Sequence, residues 1–396
     1  MGLTGIIITV AALLLGFLIT FKSIPVVIKV SLLRGLMDCP DGDRKVHKHR
    51  VPNLGGIGVF AGFVISFGIF IGFDLPQYFP ALIAAITVLF FVGIKDDILV
   101  IAPLKKLAGQ IIAACMVVFV GGIYIPGLDG LFGVGLFPVW FAKIFSAAAI
   151  IFIINAYNLI DGVDGLAGLL SIVSVLVLGI WFLIGGHYAE SILSFALAGA
   201  LLGFLMHNFE PARIFMGDTG SLIIGLILAV TSFRLVQLNA VTEGIHLQAP
   251  AVFIFSVMIV PIYDVFRVIV IRLYRGCSPL KADTSHVHHF LMRLGLRHYQ
   301  IAIVLTIFNI SIVVLSFMIQ HINVYLYLFT VVIAASLITP VMMVLKGLVV
   351  HFFLQGSKID NSFLVDHILY LKWAQSHRSG KHTPANRRKG KKKYAA

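Results

Sequence analysis

Apolar residues run through this chain in long uninterrupted blocks, each about 17–25 residues, the length an α-helix needs to cross roughly 30 Å of hydrocarbon. The blocks are continuous and do not alternate in twos, so the pattern predicts helices and argues against a barrel. Eleven such spans are expected, at 3–21, 54–73, 78–95, 105–123, 138–154, 166–184, 190–206, 219–238, 249–273, 300–319 and 324–345. The fold class this implies is all-α, a polytopic membrane protein. The first block, Ile6 to Thr20, lacks a basic leader and a small-x-small cleavage site, and is expected to be a retained span. The ninth is long and carries Asp264 and Arg267 towards one end.

The polar connections alternate in character. One set is short or glycine-rich: 73–77, 121–138, 185–190, 238–249 and 320–323. The other set is basic: 34–50, 95–106, 272–297 and everything from Lys346 on. Of 30 Lys and Arg, only Lys143 and Arg234 fall on the first side. The positive-inside rule then places the basic set in the cytoplasm, with the N-terminus outside and the C-terminus inside. Composition agrees: 59% of residues are hydrophobic and 12% charged, against about 25% charged in soluble domains. The net charge of +13 is accounted for by this topology and by a basic tail, so no nucleic-acid partner is implied. The expected organisation is a membrane domain over 1–349 and a basic cytoplasmic tail over 350–396, lying near anionic headgroups. Cys39, Cys115 and Cys277 show no ligand spacing and predict neither a disulfide nor a thiolate metal site.

The scarce acidic residues are unevenly placed. Asp96, Asp97, Asp161, Asp164, Asp218, Asp264 and Asp283 all fall at inner span ends or in inner loops, and ionisable groups converging on one membrane face suggest a functional site. Four motifs carry them. Gly93-Ile-Lys-Asp96-Asp97 puts two carboxylates side by side, an arrangement favourable mainly beside cations or a metal; Lys105-Lys106-Leu-Ala-Gly-Gln110 follows, and a lysine there can hold a phosphate as a point charge. Asn155-Ala-Tyr-Asn158-Leu-Ile-Asp161-Gly162-Val-Asp164-Gly165 sets two amides and two carboxylates between apolar spans, with glycines that predict a break in the helix. Asn208-Phe-Glu-Pro-Ala-Arg-Ile-Phe215-Met-Gly217-Asp218-Thr219-Gly220-Ser221 predicts a tight turn into the next helix. Thr219 and Ser221 are the expected caps there, and the helix N-terminus is open to phosphate. Asp218 suits a hard cation such as Mg²⁺. Phe215 is either a stacking platform or ordinary packing. Ser285-His286-Val-His288-His289 could bind zinc, but no Cys is near and the neighbouring ligands are hard oxygens, so hydrogen bonding to phosphate is the preferred role. In the first inner loop, Asp38, Arg44-Lys45-Val-His47 and Pro52-Asn-Leu-Gly-Gly56 are compatible with anion binding. The set as a whole is suited to phosphoryl transfer, where catalysis is mostly positioning and charge neutralisation.

In order, RKxH with PxxGG, DD with KLxxQ, NAxNxxDGxDGL, NFxPAxIFMGDTGS and HxHH resemble the polyprenyl-phosphate N-acetylhexosamine-1-phosphate transferases, from about Arg44 to Leu296. The SHVHH segment resembles the subgroup acting on UDP-N-acetylglucosamine. The resemblance implies transfer of a sugar 1-phosphate from a cytosolic UDP-N-acetylhexosamine to undecaprenyl phosphate, releasing UMP and forming the lipid diphosphate sugar that begins cell-envelope polysaccharide synthesis. It implies a multi-pass enzyme of the plasma membrane whose site faces the cytoplasm, and it allows a homodimer. It makes Asn158 and Asp218 ligands of Mg²⁺ (Mn²⁺ as an alternative). Asp96 or Asp97 would deprotonate or orient the lipid phosphate, with Asp161 beside them. Lys45, Lys106, His286 and His288 would hold phosphates, with His289 and Asn208 on the substrate side, and Asp164 would hydrogen-bond a uracil stacked on Phe215. Thr284 departs from the basic residue common after Asp283 and leaves the exact hexosamine open. Two alternatives stand beside this expectation: a phospho-MurNAc-pentapeptide transferase, and a secondary transporter, which predicts internal repeats and mid-membrane charges that the sequence lacks.

Overall fold

The computed structural model describes residues 2–36, 51–72, 75–242, 244–274, 276 and 286–344. Asp38, Lys45, His47, Asp283, Thr284 and the basic tail lie outside the described residues. The chain divides into two compact units, Met1–Met342 and Met343–Ala396. The first unit carries the helices and the candidate site.

Among the described residues thirteen α-helices build it: α1 (Leu3–Arg34), α2 (Gly55–Phe70), α3 (Phe79–Leu99), α4 (Pro103–Cys115), α5 (Val139–Ile160), α6 (Leu166–Ile184), α7 (Tyr188–Asn208), α8 (Gly217–Asn239), α9 (Pro250–Val257), α10 (Ile259–Tyr274), α11 (Val287–Arg293), α12 (His298–Ile319) and α13 (Val324–Ser336). Among the described residues no strand forms; Gly127 and Leu136 make an isolated antiparallel bridge. All eleven predicted spans fall on helices. Among the described residues eight helices are long and apolar enough to cross a bilayer, or nine if a bent pair counts as one span. The expected eleven is therefore larger than the number that length and composition support; α2, for example, has only 16 residues. The first helix also continues past its expected end at 21, through Pro25 to Arg34, where Gly35 turns into the left-handed region and closes it. Lys22 and Lys29 do not stop it, because long basic side chains let a helix continue past the apolar boundary.

The α8 helix is the hub. In its most apolar stretch 83% of residues are buried within the protein, against 22% for α1 and for the last span, so α8 is central and those two are left to lipid. The ninth predicted span is not one straight helix. It breaks at Met258 into α9 and α10, which meet at 86°. A break inside a membrane leaves backbone groups that must be satisfied by protein. Here the Val257 carbonyl accepts from Ser174 Oγ on α6 and Asn309 Nδ2 on α12, each at 3.1 Å. The start of α9 is capped from elsewhere, Asp129 accepting from the Ala251 amide at 2.7 Å. The bend carries Asp264 and Arg267 away on α10.

At the far end of α8, Arg234 is about 24 Å from Asp218 by helical rise. Its guanidinium donates to Glu190 at 2.8 and 3.0 Å and lies over the Tyr78 ring, whose hydroxyl donates to the same carboxylate at 3.1 Å. One of the two cations on the glycine-rich side is thus paired.

Candidate functional site

The start of α8 is held by backbone contact. Gly55 and Gly56 of α2 donate to the carbonyls of Phe215 and Met216 at 2.9 and 2.8 Å, and the Phe215 amide donates to the Pro52 carbonyl at 2.8 Å. A Cβ on Gly56 would strike the Gly220 backbone, and one on Gly93 would strike that of Thr219. The absent side chains let α2 and α3 approach the first turn of α8 at main-chain distance.

That approach delivers the carboxylate pair. Asp97 caps α8: its Oδ1 accepts from the Asp218 amide at 2.7 Å, and its Oδ2 from the Thr219 amide at 3.0 Å and the Thr219 hydroxyl at 2.5 Å. Asn53 Nδ2 donates to Oδ1 at 3.2 Å. Thr219 and Ser221, the expected caps, lie inside the helix instead, and Ser221 Oγ turns back to the Gly217 carbonyl at 3.0 Å. The amides expected to be open to phosphate are occupied by Asp97, because the glycine contact brings a carboxylate from α3 within hydrogen-bonding reach of them.

Asp96 points to a different neighbour. Its Oδ1 accepts from the Ile101 amide at 2.7 Å, and its Oδ2 lies 3.2 Å from Lys106 Nζ. The same ammonium reaches Asp218 Oδ2 at 2.5 Å and Asn158 Oδ1 at 3.3 Å. Asn158 Nδ2 donates to Asp218 Oδ1 at close range and to Ser221 Oγ at 2.9 Å. Four helices, α3, α4, α5 and α8, therefore bring Asp96, Lys106, Asn158 and Asp218 to one point.

The DGVDG segment forms the adjoining wall. The α5 helix ends at Ile160 and α6 begins at Leu166, with Gly165 at φ +77, so the expected break is present. Asp161 is half-buried between them. Its enclosure, and then the charges of Asp218, Asp97 and Asp164, push its carboxyl well above the usual range. Asp164 is buried; it accepts from the Ala212 amide at 3.3 Å and lies 3.3 Å from His298 Nδ1. Asn208 ties two loops together, accepting from the Gly165 amide at 2.9 Å and donating to the Ile214 carbonyl at 2.8 Å. Phe215 is half-buried, one residue before Met216.

The histidines ride on or beside α11. Asp264 of α10 accepts from His286 Nδ1 at 2.9 Å, the Val287 amide at 2.8 Å and Arg267 at 3.1 Å. His286 and His288 are buried with stacked rings, and His289 is half-buried against His288. Burial and the neighbouring His289 push His288 down to about 3, so its ring is neutral at physiological pH. A Cβ on Gly162 would meet His288 Nε2, which places this ring against the DGVDG wall. Sequence reasoning does not single out His298 and assigns no partner to Asp264; Asn53 enters only within a loop compatible with anion binding and Ser221 only as a cap, neither as a partner of Asp97 or Asn158. A buried aspartate in an otherwise apolar span is the available signal for Asp264; His298 has none.

A divalent ion fits this donor set. Oxygens of Asp96, Asn158 and Asp218 converge on one positive centre, all hard ligands of the type Mg²⁺ takes. Among the described residues no trio of His, Cys, Asp and Glu stands close enough to hold a metal. A protein shell of two or three oxygens is what Mg²⁺ commonly uses when substrate phosphates and water complete it.

The model for glycosyl transferase family 4 matches residues 79–236, the stretch from α3 to α8 that carries the converging groups. The chain is 33% identical to the decaprenyl-phosphate N-acetylglucosaminephosphotransferase of Mycobacterium tuberculosis (strain ATCC 25618 / H37Rv) over 66% of its own length and 70% of that protein's. It is 31% identical to the probable undecaprenyl-phosphate N-acetylglucosaminyl 1-phosphate transferase of Bacillus subtilis (strain 168), over 78% and 85% respectively. The undecaprenyl-phosphate alpha-N-acetylglucosaminyl 1-phosphate transferase of Salmonella typhi is 30% identical over 74% and 78%. With the matched segment coinciding with the helices that build the site, and similarity of this extent beyond it, the chain belongs to glycosyl transferase family 4 and is a multi-pass membrane phosphotransferase.

Proposed function

We propose that this enzyme transfers N-acetylglucosamine 1-phosphate from UDP-N-acetylglucosamine to a polyprenyl phosphate, with undecaprenyl phosphate the acceptor. The convergence of Asp96, Asn158 and Asp218 on Lys106 Nζ carries this reading. The names of the relatives support the sugar and the lipid class. An oxygen of the lipid phosphate attacks the phosphorus bearing the sugar, the bond from that phosphorus to the oxygen of the UMP phosphate breaks, and UMP leaves with that oxygen. The products are UMP and a lipid diphosphate sugar. Direct displacement is favoured over a covalent aspartyl intermediate, because the acceptor phosphate is already a competent nucleophile once its repulsion is offset.

Mg²⁺, or Mn²⁺ in its place, would neutralise the diphosphate charge from Asn158 and Asp218. The residues of the chain then have separate tasks. Asp97 holds the first turn of α8 and with it the direction of Asp218. Lys106, held by carboxylates here, is within reach of phosphates that enter the same space. Asp96, bound by one oxygen to the Ile101 amide, presents the other to the acceptor. Asp164 and Phe215 would hold the uracil. His286, fixed by Asp264, and His289 line the phosphate side, while neutral His288 serves as a hydrogen-bonding ring and not as a cation. The charge bias of the loops supports a site facing the cytoplasm, where UDP-sugars are made, in the plasma membrane.

The test is incubation of purified enzyme with undecaprenyl phosphate and a panel of UDP-sugars, reading the lipid product by mass. A lipid diphosphate N-acetylglucosamine is expected. A product from UDP-MurNAc-pentapeptide alone, or solute flux without any lipid product, would overturn the reading.

A further inference from the structure

One buried polar pair lies beside the converging groups without joining them. Gln110 on α4 and Asn155 on α5 exchange two hydrogen bonds: Gln110 Nε2 donates to Asn155 Oδ1 at 3.3 Å, and Asn155 Nδ2 donates to Gln110 Oε1 at 2.8 Å. Gln110 is 1% exposed. A second hydrogen of Asn155 Nδ2 goes to the Ile151 carbonyl at 2.8 Å, which fixes that amide on its own helix.

The spacing makes this pair relevant to the chemistry. Gln110 lies four residues after Lys106 on α4, and Asn155 lies three residues before Asn158 on α5, so each amide shares a helix face with a site residue. One turn, about 5.4 Å, separates the two levels. The clasp joins α4 to α5 one turn further into the helices, and Lys106 Nζ meets Asn158 Oδ1 at their site end. A reciprocal amide pair is directional, unlike the apolar contacts around it. Sliding α4 by a fraction of a turn would break both bonds and move Lys106 off Asp218 and Asn158.

We infer that Gln110 and Asn155 are positioning residues: their clasp sets the register of α4 against α5 that aims Lys106 at the reaction centre. The inference rests on the proposed function of that centre. Neither residue touches the reacting atoms.

The test uses the full-length enzyme in detergent, with kcat, KM for UDP-N-acetylglucosamine and the thermal midpoint measured together. Asn155→Leu leaves the buried Gln110 amide unpaired and should lose stability, while Gln110→Leu leaves the half-buried Asn155 its bond to the Ile151 carbonyl and should lose less. The double variant Gln110→Leu/Asn155→Leu replaces the clasp by apolar contact and should recover a midpoint near that of the wild type. Its kcat should still fall about tenfold to a hundredfold, because displacement of about 1 Å costs that much, while KM stays within about twofold. The swapped variant Gln110→Asn/Asn155→Gln keeps the reciprocal pairing and should regain most of kcat. A stable double-Leu variant with wild-type kcat would overturn the inference. An unstable double-Leu variant moves the decision to the swap, and a folded swap variant as inactive as the single variants would also overturn it. Asp218→Asn is measured alongside: if it stays fully active, the reading of the centre fails, independently of the clasp.

Discussion

Lys106 faces both Asp96 and Asp218, and its removal makes a prediction that can be sized. Its Nζ lies 2.5 Å from Asp218 Oδ2 and 3.2 Å from Asp96 Oδ2. Those two distances bound the carboxylate oxygens to within about 5.7 Å of each other, a separation at which two unit charges repel by about 3 kcal/mol at an effective dielectric of about 20. The side chains are 16% exposed for Lys106, 11% for Asp96 and 24% for Asp218, so bulk-water screening does not apply, nor does a dry interior. In Lys106→Met this repulsion is no longer offset. Proton uptake and local relaxation will relieve part of it, and a loss of about 2 kcal/mol is expected in the metal-free protein. The assay is thermal unfolding in detergent with EDTA and then with increasing Mg²⁺. The variant should melt several degrees below the wild type in EDTA, lose nearly all transferase activity, and gain more from Mg²⁺ than the wild type does, because the same oxygens are open to the ion. Equal midpoints in EDTA together with an equal or smaller Mg²⁺ response would refute the electrostatic reasoning.

Other perturbations act through different causes. Asp161→Asn should raise the EDTA midpoint at pH 8 while lowering activity. A carboxyl whose folded pKa is raised destabilises the fold when charged, so this gain should shrink as pH falls through that raised value and the wild-type group protonates; a gain that grows towards low pH would contradict it. Gly93→Ala puts a methyl against the Thr219 backbone and should abolish activity with loss of folded protein, read by size-exclusion yield. Glu190→Gln strips the Arg234 guanidinium of its buried carboxylate and should cost about 3 kcal/mol or more, yet activity per folded molecule should stay near wild type, since Arg234 lies at the other end of α8. Asn309→Leu removes one of two donors to the Val257 carbonyl, which keeps Ser174, and should cost about 0.5–1.5 kcal/mol, measured as the unfolding midpoint.

Much of the architecture is legible in the sequence because the bilayer imposes it. Apolar blocks mark the long helices, and glycines at 162 and 165 mark the break between α5 and α6. The bend at Met258 is not legible, since it depends on Ser174 and Asn309 arriving from two other helices to satisfy one carbonyl. Within the site, residue types and spacing single out Asp96, Asp97, Lys106, Asn158 and Asp218, which do stand together. Sequence cannot tell which carboxylate of the adjacent pair turns towards α8. Asp97 becomes the cap because Gly93, four residues earlier, lets the helices touch, and no local pattern encodes that contact. The burial of His286 and His288 is hidden for a similar reason: it follows from Asp264, over twenty residues away on a bent helix.

The central claim is that phosphate travels with the sugar at a centre built on Asp218 and Asn158. The direct measurement is the nucleotide released when enzyme, UDP-N-acetylglucosamine and undecaprenyl phosphate are combined, for the wild type with Mg²⁺, the wild type with EDTA, and Asp218→Asn with Mg²⁺. UMP is expected in amounts matching the lipid product in the first case, and almost none in the other two. Release of UDP, or undiminished UMP from Asp218→Asn, would contradict the claim.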